Sequence, residues 1–236
     1  MNPLGVLAGV KHNRFIRLAM GAIALTLMFS ASAAIRADLT ADVEAILAEE
    51  HLAGMAWMLI GERGEVSLGA AGLRDNPGQV EFTTDTRFHV GSLTKALLAT
   101  GVLRLVTEGS IEIDAPVSRY LPGFEFDNPW SQSSPVTVRH LLDHTAGLSD
   151  AQMWQMFSER PTSDDALIEA FPEPGRQLRV RSRPGSRFSY SNMGYALLGM
   201  VIESVTGEPY EKYLDQNLLA PLGMLDSTFT FTTQEG

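Results

Sequence analysis

The chain has 236 residues, no cysteine, and 28 acidic against 18 basic residues, for a formal charge of −10. The missing cysteine excludes disulfides, thiolate metal sites and a lipid-modified cysteine anchor. The acidic balance argues against nucleic acid as a partner.

At the N-terminus, Lys11, Arg14 and Arg17 precede or open an apolar run from Leu18 to Phe29, which gives way to Ala31-Ser32-Ala33. This order reads as a secretory signal peptide over residues 1–33 and predicts a periplasmic or secreted protein. The run is shorter than the roughly 20 apolar residues of a membrane-spanning helix, so an uncleaved anchor is the weaker alternative. Cleavage after Ala33 would remove three of the 18 basic residues and none of the 28 acidic ones, taking the charge from −10 to −13. The remaining stretch of about 200 residues suits one domain with a sizeable core.

A short helix is predicted over Asp42–Glu50. The apolar runs Gly54–Ile60 and Val66–Leu73 flank Gly61-Glu62-Arg63-Gly64 and predict a β-hairpin. Residues Arg74–Asp85, with Asn76-Pro77-Gly78, read as a loop. Leu93–Val106 is apolar almost all round and predicts a buried helix at the centre of the fold. Further helices are predicted at Val138–Asp143, Asp164–Phe171, Met193–Thr206 and Tyr210–Leu219. Thr137, Asn192 and Pro209 stand at cap or first-turn positions, and Gly207 and Gly223 at helix stops.

Lys95 is the only charged residue between Leu93 and Leu103, in the first turn of that predicted helix. Burial and the positive end of the helix dipole both oppose an ammonium there. Both would also make the neutral amine more accessible, and a residue that breaks a local rule points to function. Ser92, three positions earlier, would share a helix face with Lys95. A serine hydroxyl must lose its proton to attack a carbonyl, and a neighbouring lysine can take it. The alternative reading of Ser92 is a helix N-cap.

Tyr190-Ser191-Asn192 precedes the next apolar helix. Tyr190 could accept or relay a proton, and Asn192 could bond both a substrate amide and the lysine. The alternative is a capping Asn192 with Tyr190 packed in the core.

Four stretches then occur in order: Phe88-His89-Val90-Gly91-Ser92-Leu93-Thr94-Lys95, Leu141-Leu142-Asp143-His144-Thr145-Ala146-Gly147-Leu148, Tyr190-Ser191-Asn192, and Pro221-Leu222-Gly223-Met224. In these the chain resembles the class C type serine β-lactamases, the penicillin-binding-protein-like D-alanyl-D-alanine peptidases and the esterases that share their fold. The resemblance implies an α/β (α+β) architecture in which an antiparallel sheet is flanked by helices beside a helical region, over residues 38–236. It implies acylation of Ser92 by a β-lactam, D-alanyl peptide or ester carbonyl, proton transfer through Lys95 and Tyr190, and positioning of the acyl group by Asn192. The Ser92 N–H would form half of the oxyanion hole. Neither cofactor nor metal is called for, and the expected partner is a small-molecule or peptide-like substrate.

The family also carries a Lys-Thr-Gly or His-x-Gly triplet on a later strand, which this sequence does not reach before Gly236. The expectation is therefore a sheet with its C-terminal strands missing, to be completed by a missing C-terminal segment or by a second chain. The rival to an active hydrolase is a truncated remnant, or one piece of a split protein, that at most binds peptide-like ligands.

Other features are set aside. His140 and His144 have a zinc-protease spacing, but Leu141 replaces the glutamate which that chemistry needs. His144 is better read as a structural, hydrogen-bonded histidine. Arg176, Arg179, Arg181, Arg183 and Arg187 could bind an anion, although a solvated loop is the simpler reading. Gly-x-Ser-x-Gly and phosphate-binding glycine loops do not occur.

Overall fold

The computed structural model describes residues 39–64, 66–75, 77, 79–151, 167–171 and 178–230. The signal peptide, Arg176 and the first three residues of the helix expected at Asp164–Phe171 lie outside the described residues. The chain divides into two compact units, Met1–Phe88 and His89–Gly236.

In the first unit, residues 39–49 form helix α1. Strands β1 (Gly54–Ile60) and β2 (Val66–Asp75) make the expected hairpin, in register from Gly54 opposite Gly72 to Ile60 opposite Val66. Alternation decides which side chains turn inward. Ala71, with Met55 and Trp57, packs on Val43 and Leu47 of α1. Met58, Ile60, Val66 and Leu68 remain exposed. The segment expected to be a loop instead carries a short strand, β3 (Val80–Glu81), which pairs antiparallel with β2. The sheet order is β1-β2-β3.

In the second unit, a 3₁₀ turn Gly91–Leu93 runs directly into α2 (Thr94–Thr107). The expectation that this helix is buried all round is corrected. Leu98, Gly101, Val102 and Leu105 are buried at helical spacing, whereas Leu93 is 71% exposed and Leu103 45% exposed. Within this unit, the segments packed against α2 meet it on one stripe.

Helix α3 (Val138–Leu142) is held at its start by a reciprocal cap: the Thr137 hydroxyl accepts the His140 N–H, and the His140 ring accepts the Thr137 N–H. Leu167–Ala170 is a 3₁₀ turn. Helix α4 (Asn192–Thr206) buries eight of its 15 residues, among them Leu197, Leu198, Val201 and Ile202 with no measurable exposure. Each such side chain stabilises the fold by about 1.5–3 kcal/mol. Gly207 ends the helix in a left-handed conformation, φ +74°. The last expected helix is split: α5 (Tyr210–Leu214) passes into a π turn, Asp215–Leu219. Gly101 permits the close approach of α2 to α5, since a Cβ there would fall on the Leu214 side chain.

Candidate active site

The second unit brings Ser92, Lys95, Tyr190 and Asn192 together. Gly91 turns the chain into the first helical turn through φ +56°, a conformation glycine adopts without steric cost. Ser92 therefore stands at the helix start, where backbone N–H groups have no intrahelical acceptor. The hydroxyls of Ser92 and Tyr190 are hydrogen-bonded at 2.8 Å. Lys95 Nζ donates to Ser92 Oγ at 3.3 Å and to Asn192 Oδ1 at 2.7 Å.

Tyr190 and Asn192 reach this site because Ser191 does the capping. Its buried hydroxyl accepts the Gly194 N–H at 3.2 Å and donates to the Ser149 carbonyl at 3.2 Å. The Ser191 N–H in turn donates to His144 Nδ1 at 3.2 Å. The alternative of a capping Asn192 with a core Tyr190 does not hold. Tyr190 is 40% exposed, and the Asn192 amide faces Lys95 on one side and Asp150 on the other.

Two neighbours went unread in the sequence. Asp150 Oδ1 accepts the Asn192 backbone N–H at 2.6 Å and its Nδ2 at 3.1 Å, with Oδ2 at 3.2 Å from the same nitrogen. Asp150 and Asn192 are 42 positions apart, and no linear pattern joins them. Tyr195 was legible by helical spacing, three positions after Asn192 on α4. Its hydroxyl donates to the Leu142 carbonyl, and its ring lies 5.7 Å from Lys95 Nζ, with the Tyr190 ring at 5.1 Å. Such contacts hold a cation in place.

His144 is the packing post of the site. Its ring stacks on Tyr190 with centroids 4.4 Å apart, and it also meets Tyr195 and Phe188. Its backbone is left-handed, φ +58°. Hydrogen bonds from Lys95 first and Ser92 second hold the Tyr190 phenol below its ordinary value, which makes its deprotonated, proton-accepting form more accessible. Burial first, and the Lys95 charge second, push the His144 imidazole below its ordinary 6.5. Asp143 and Asp150 oppose that shift.

The His144 shift has a sign for stability. The unfolded chain takes up this proton near 6.5 and the folded chain only at lower pH, so the contribution is complete above 6.5 and is lost as pH falls through the depressed value. Thermal melts from pH 7.5 downward should therefore show Tm falling below pH 6.5 more steeply in the parent than in His144→Asn, a variant that tolerates the left-handed backbone. Parallel curves would refute the assignment.

A cavity of about 380 Å³ adjoins the site, bounded by Gly91, Lys95, Leu98, Tyr195, Ala196 and Gly199 among others. His140 serves the α3 cap, and Arg179, Arg181 and Arg183 engage Asp127, Ser149 and Ser134. Among the described residues, no group of three or more His, Cys, Asp or Glu is placed to hold a metal ion.

At this helix start the Ser92 hydroxyl meets Tyr190 and Lys95, and Asn192 joins the cluster through Lys95. Residues 39–235 match the Beta-lactamase family, and the chain belongs to it. Esterase EstB of Burkholderia gladioli is 33% identical over 216 residues, covering 86% of this chain and 54% of that protein. Among solved structures, the octameric penicillin-binding protein homologue from Pyrococcus abyssi has a TM-score of 0.67 at 29% identity, covering 80% of this chain and 43% of that one. The D-amino acid amidase from Ochrobactrum anthropi SV3, complexed with L-phenylalanine amide, has a TM-score of 0.58 at 34% identity, covering 73% and 46%. The fold is thus of the β-lactamase/transpeptidase type, and relatives of the chain include an esterase and an amidase. The chain spans about half or less of the length of the curated relatives it matches.

Proposed function

We propose that the protein is a serine hydrolase that works through an acyl-enzyme on Ser92, with an ester, amide or β-lactam carbonyl as substrate. The observation that carries this reading is the Ser92 hydroxyl bonded at once to Tyr190 and Lys95 at a helix start. In acylation, Ser92 Oγ bonds to the carbonyl carbon and its proton passes to the Lys95–Tyr190 pair. The Ser92 N–H supports the developing oxyanion. Asn192 holds Lys95 on the nucleophile and is within reach of the acyl group's amide. As the tetrahedral intermediate collapses, the pair returns the proton to the departing oxygen or nitrogen. Water then attacks the acyl-serine, giving its proton to the same pair, which returns it to Ser92 Oγ as the C–Oγ bond breaks and the acid leaves.

The esterase and the amidase among its relatives favour ester and amide substrates. The apolar Leu98, Leu167 and Ala196 around the adjoining cavity suit an apolar acyl group. The basic, apolar and small-residue order of residues 11–33 supports a periplasmic or secreted location.

The test is covalent labelling. Folded protein incubated with a fluorophosphonate or a fluorescent penicillin should carry one adduct, mapped by peptide mass spectrometry to Ser92. Ser92→Ala should lose the label entirely. Absence of any adduct after long incubation with both probes, in a sample shown to be folded, would sink the reading.

A further inference from the structure

We propose that Asp150 is a positioning residue for the nucleophile's base: it fixes the Asn192 amide so that the carbonyl oxygen, not the nitrogen, faces Lys95. This rests on the hydrolase reading above for its consequence in catalysis, but its geometry stands by itself.

An asparagine amide has two chemically opposite ends of nearly equal shape, one accepting and one donating. Lys95 carries only donors, so only the oxygen end can bond it. In the α4 first turn, a rotation of the amide by half a turn would set its NH₂ against the ammonium and its oxygen against whatever lies behind. What lies behind is a carboxylate. Both Asp150 oxygens accept from Asn192 Nδ2, at 3.1 and 3.2 Å, and a carboxylate has no proton to give an amide oxygen. The reversed amide would therefore lose its bond to Lys95 and face lone pairs on the other side. Asp150 thus imposes the orientation in which Asn192 Oδ1 accepts from Lys95 Nζ at 2.7 Å.

Asp150 is itself anchored. Its Oδ1 also accepts the Asn192 backbone N–H at 2.6 Å and the Ala151 N–H at 2.8 Å. The preceding Ser149 accepts from the Ser191 hydroxyl through its carbonyl and from Arg181 through its own hydroxyl. The carboxylate therefore belongs to a braced loop, and the chain of contacts runs Asp150, Asn192, Lys95, Ser92. Negative charge near a helix start is favourable, and the α4 cap itself comes from Ser191.

The experiment is a double-mutant cycle on the rate of Ser92 labelling by a fluorophosphonate, with thermal melts to show that each variant is folded. Asp150→Ala should slow labelling by about 10- to 100-fold, the range typical of residues that orient a direct participant. Asp150→Asn keeps one oxygen acceptor but brings an NH₂ donor that a reversed Asn192 amide could accept, so it should recover the rate only in part, between Asp150→Ala and the parent. In an Asn192→Ala background, Asp150→Ala should add nothing, because the residue through which it acts is gone. A residue that merely stabilised the fold would instead cost the same in both backgrounds, and that result overturns the proposal, as does an unchanged rate in Asp150→Ala.

The Asn192 side-chain amide resonance gives an activity-independent readout. The bonded NH₂ should shift on Asp150→Ala and, to a smaller extent, on Asp150→Asn. If the parent protein takes no label while this resonance behaves as stated, the hydrolase reading fails and the positioning geometry stands. If the parent labels at Ser92 and the resonance ignores Asp150→Ala, the positioning role fails and the hydrolase reading stands.

Discussion

Lys95→Ala is expected to slow acylation of Ser92 by about 10²- to 10⁴-fold, the range for removing a positioned acid–base group, or about 3–5 kcal/mol in the barrier. The loss has two parts. Lys95 is the direct donor to Ser92 Oγ and the anchor for Asn192 Oδ1. It is also the leading cause of the lowered Tyr190 phenol. Without the ammonium, the phenolate loses its first stabilising partner, and Tyr190 reverts toward its ordinary 10.0. The rate of labelling against pH carries that signature. In the parent, the rate should rise with pH through a midpoint below 10, because the deprotonated phenol is the better proton acceptor. In Lys95→Ala the rising limb should move to higher pH as well as drop. A variant that labels at the parental rate, or with the limb in place, would show that Lys95 has no part in the proton transfer.

The largest effect on stability is expected at Gly147. Its φ of +73° lies in the left-handed region, and a Cβ there would fall on the Ser182 carbonyl oxygen and within 2.8 Å of its hydroxyl. The first of these obstacles is backbone, which cannot rotate away. The same stretch is cross-linked to its neighbour on both sides. The Gly147 carbonyl accepts the Arg181 N–H at 2.8 Å, Leu148 bridges Val180, and the His144 carbonyl accepts the Ser189 N–H at 2.7 Å. Gly147→Ala should therefore destabilise the protein by about 3 kcal/mol or more, the backbone strain adding to the forced separation. That corresponds to a Tm lowered by roughly 10 °C in a chain of this size. Because residues 180–189 lead into Tyr190, the same variant should also label more slowly at temperatures where it remains folded. A melting temperature within 2 °C of the parent, as an order-of-magnitude margin, would refute the account.

How far the site could be read in advance depends on distance along the chain. Ser92 and Lys95 are three residues apart, and any helix puts them on one face. Their spacing, the apolar run behind them and the ordered companion stretches identified the helix start, and the 3₁₀ turn leading into α2 has the boundaries this implies. Tyr190, Ser191 and Asn192 read as a polar trio ahead of an apolar helix. That Ser191 and not Asn192 would cap it depended on His144 and Ser149, which lie more than 40 residues away. The burial of α2 was overstated for a related reason. An apolar helix tells what it can bury, but α4 and the π turn meet only one stripe of it within the second unit. The loop expected at Arg74–Asp85 contains β3 because a two-residue strand leaves almost no period to detect.

Sequence alone determined the local facts. They are an acidic chain without cysteine, a hairpin set by two apolar runs around a glycine turn, and a serine and lysine one turn apart at a helix start. These follow from side-chain chemistry and short-range periodicity, which act within a few residues. Tertiary structure alone decided which oxygen of which side chain meets Lys95, why the Asn192 amide cannot turn over, and that Tyr190 stands exposed beside Ser92 on a stacked His144. Those outcomes rest on contacts between segments from 40 to nearly 100 residues apart. Hydrogen bonds of that range are specified by where the packed chain brings donors and acceptors, and no spacing in the sequence encodes it.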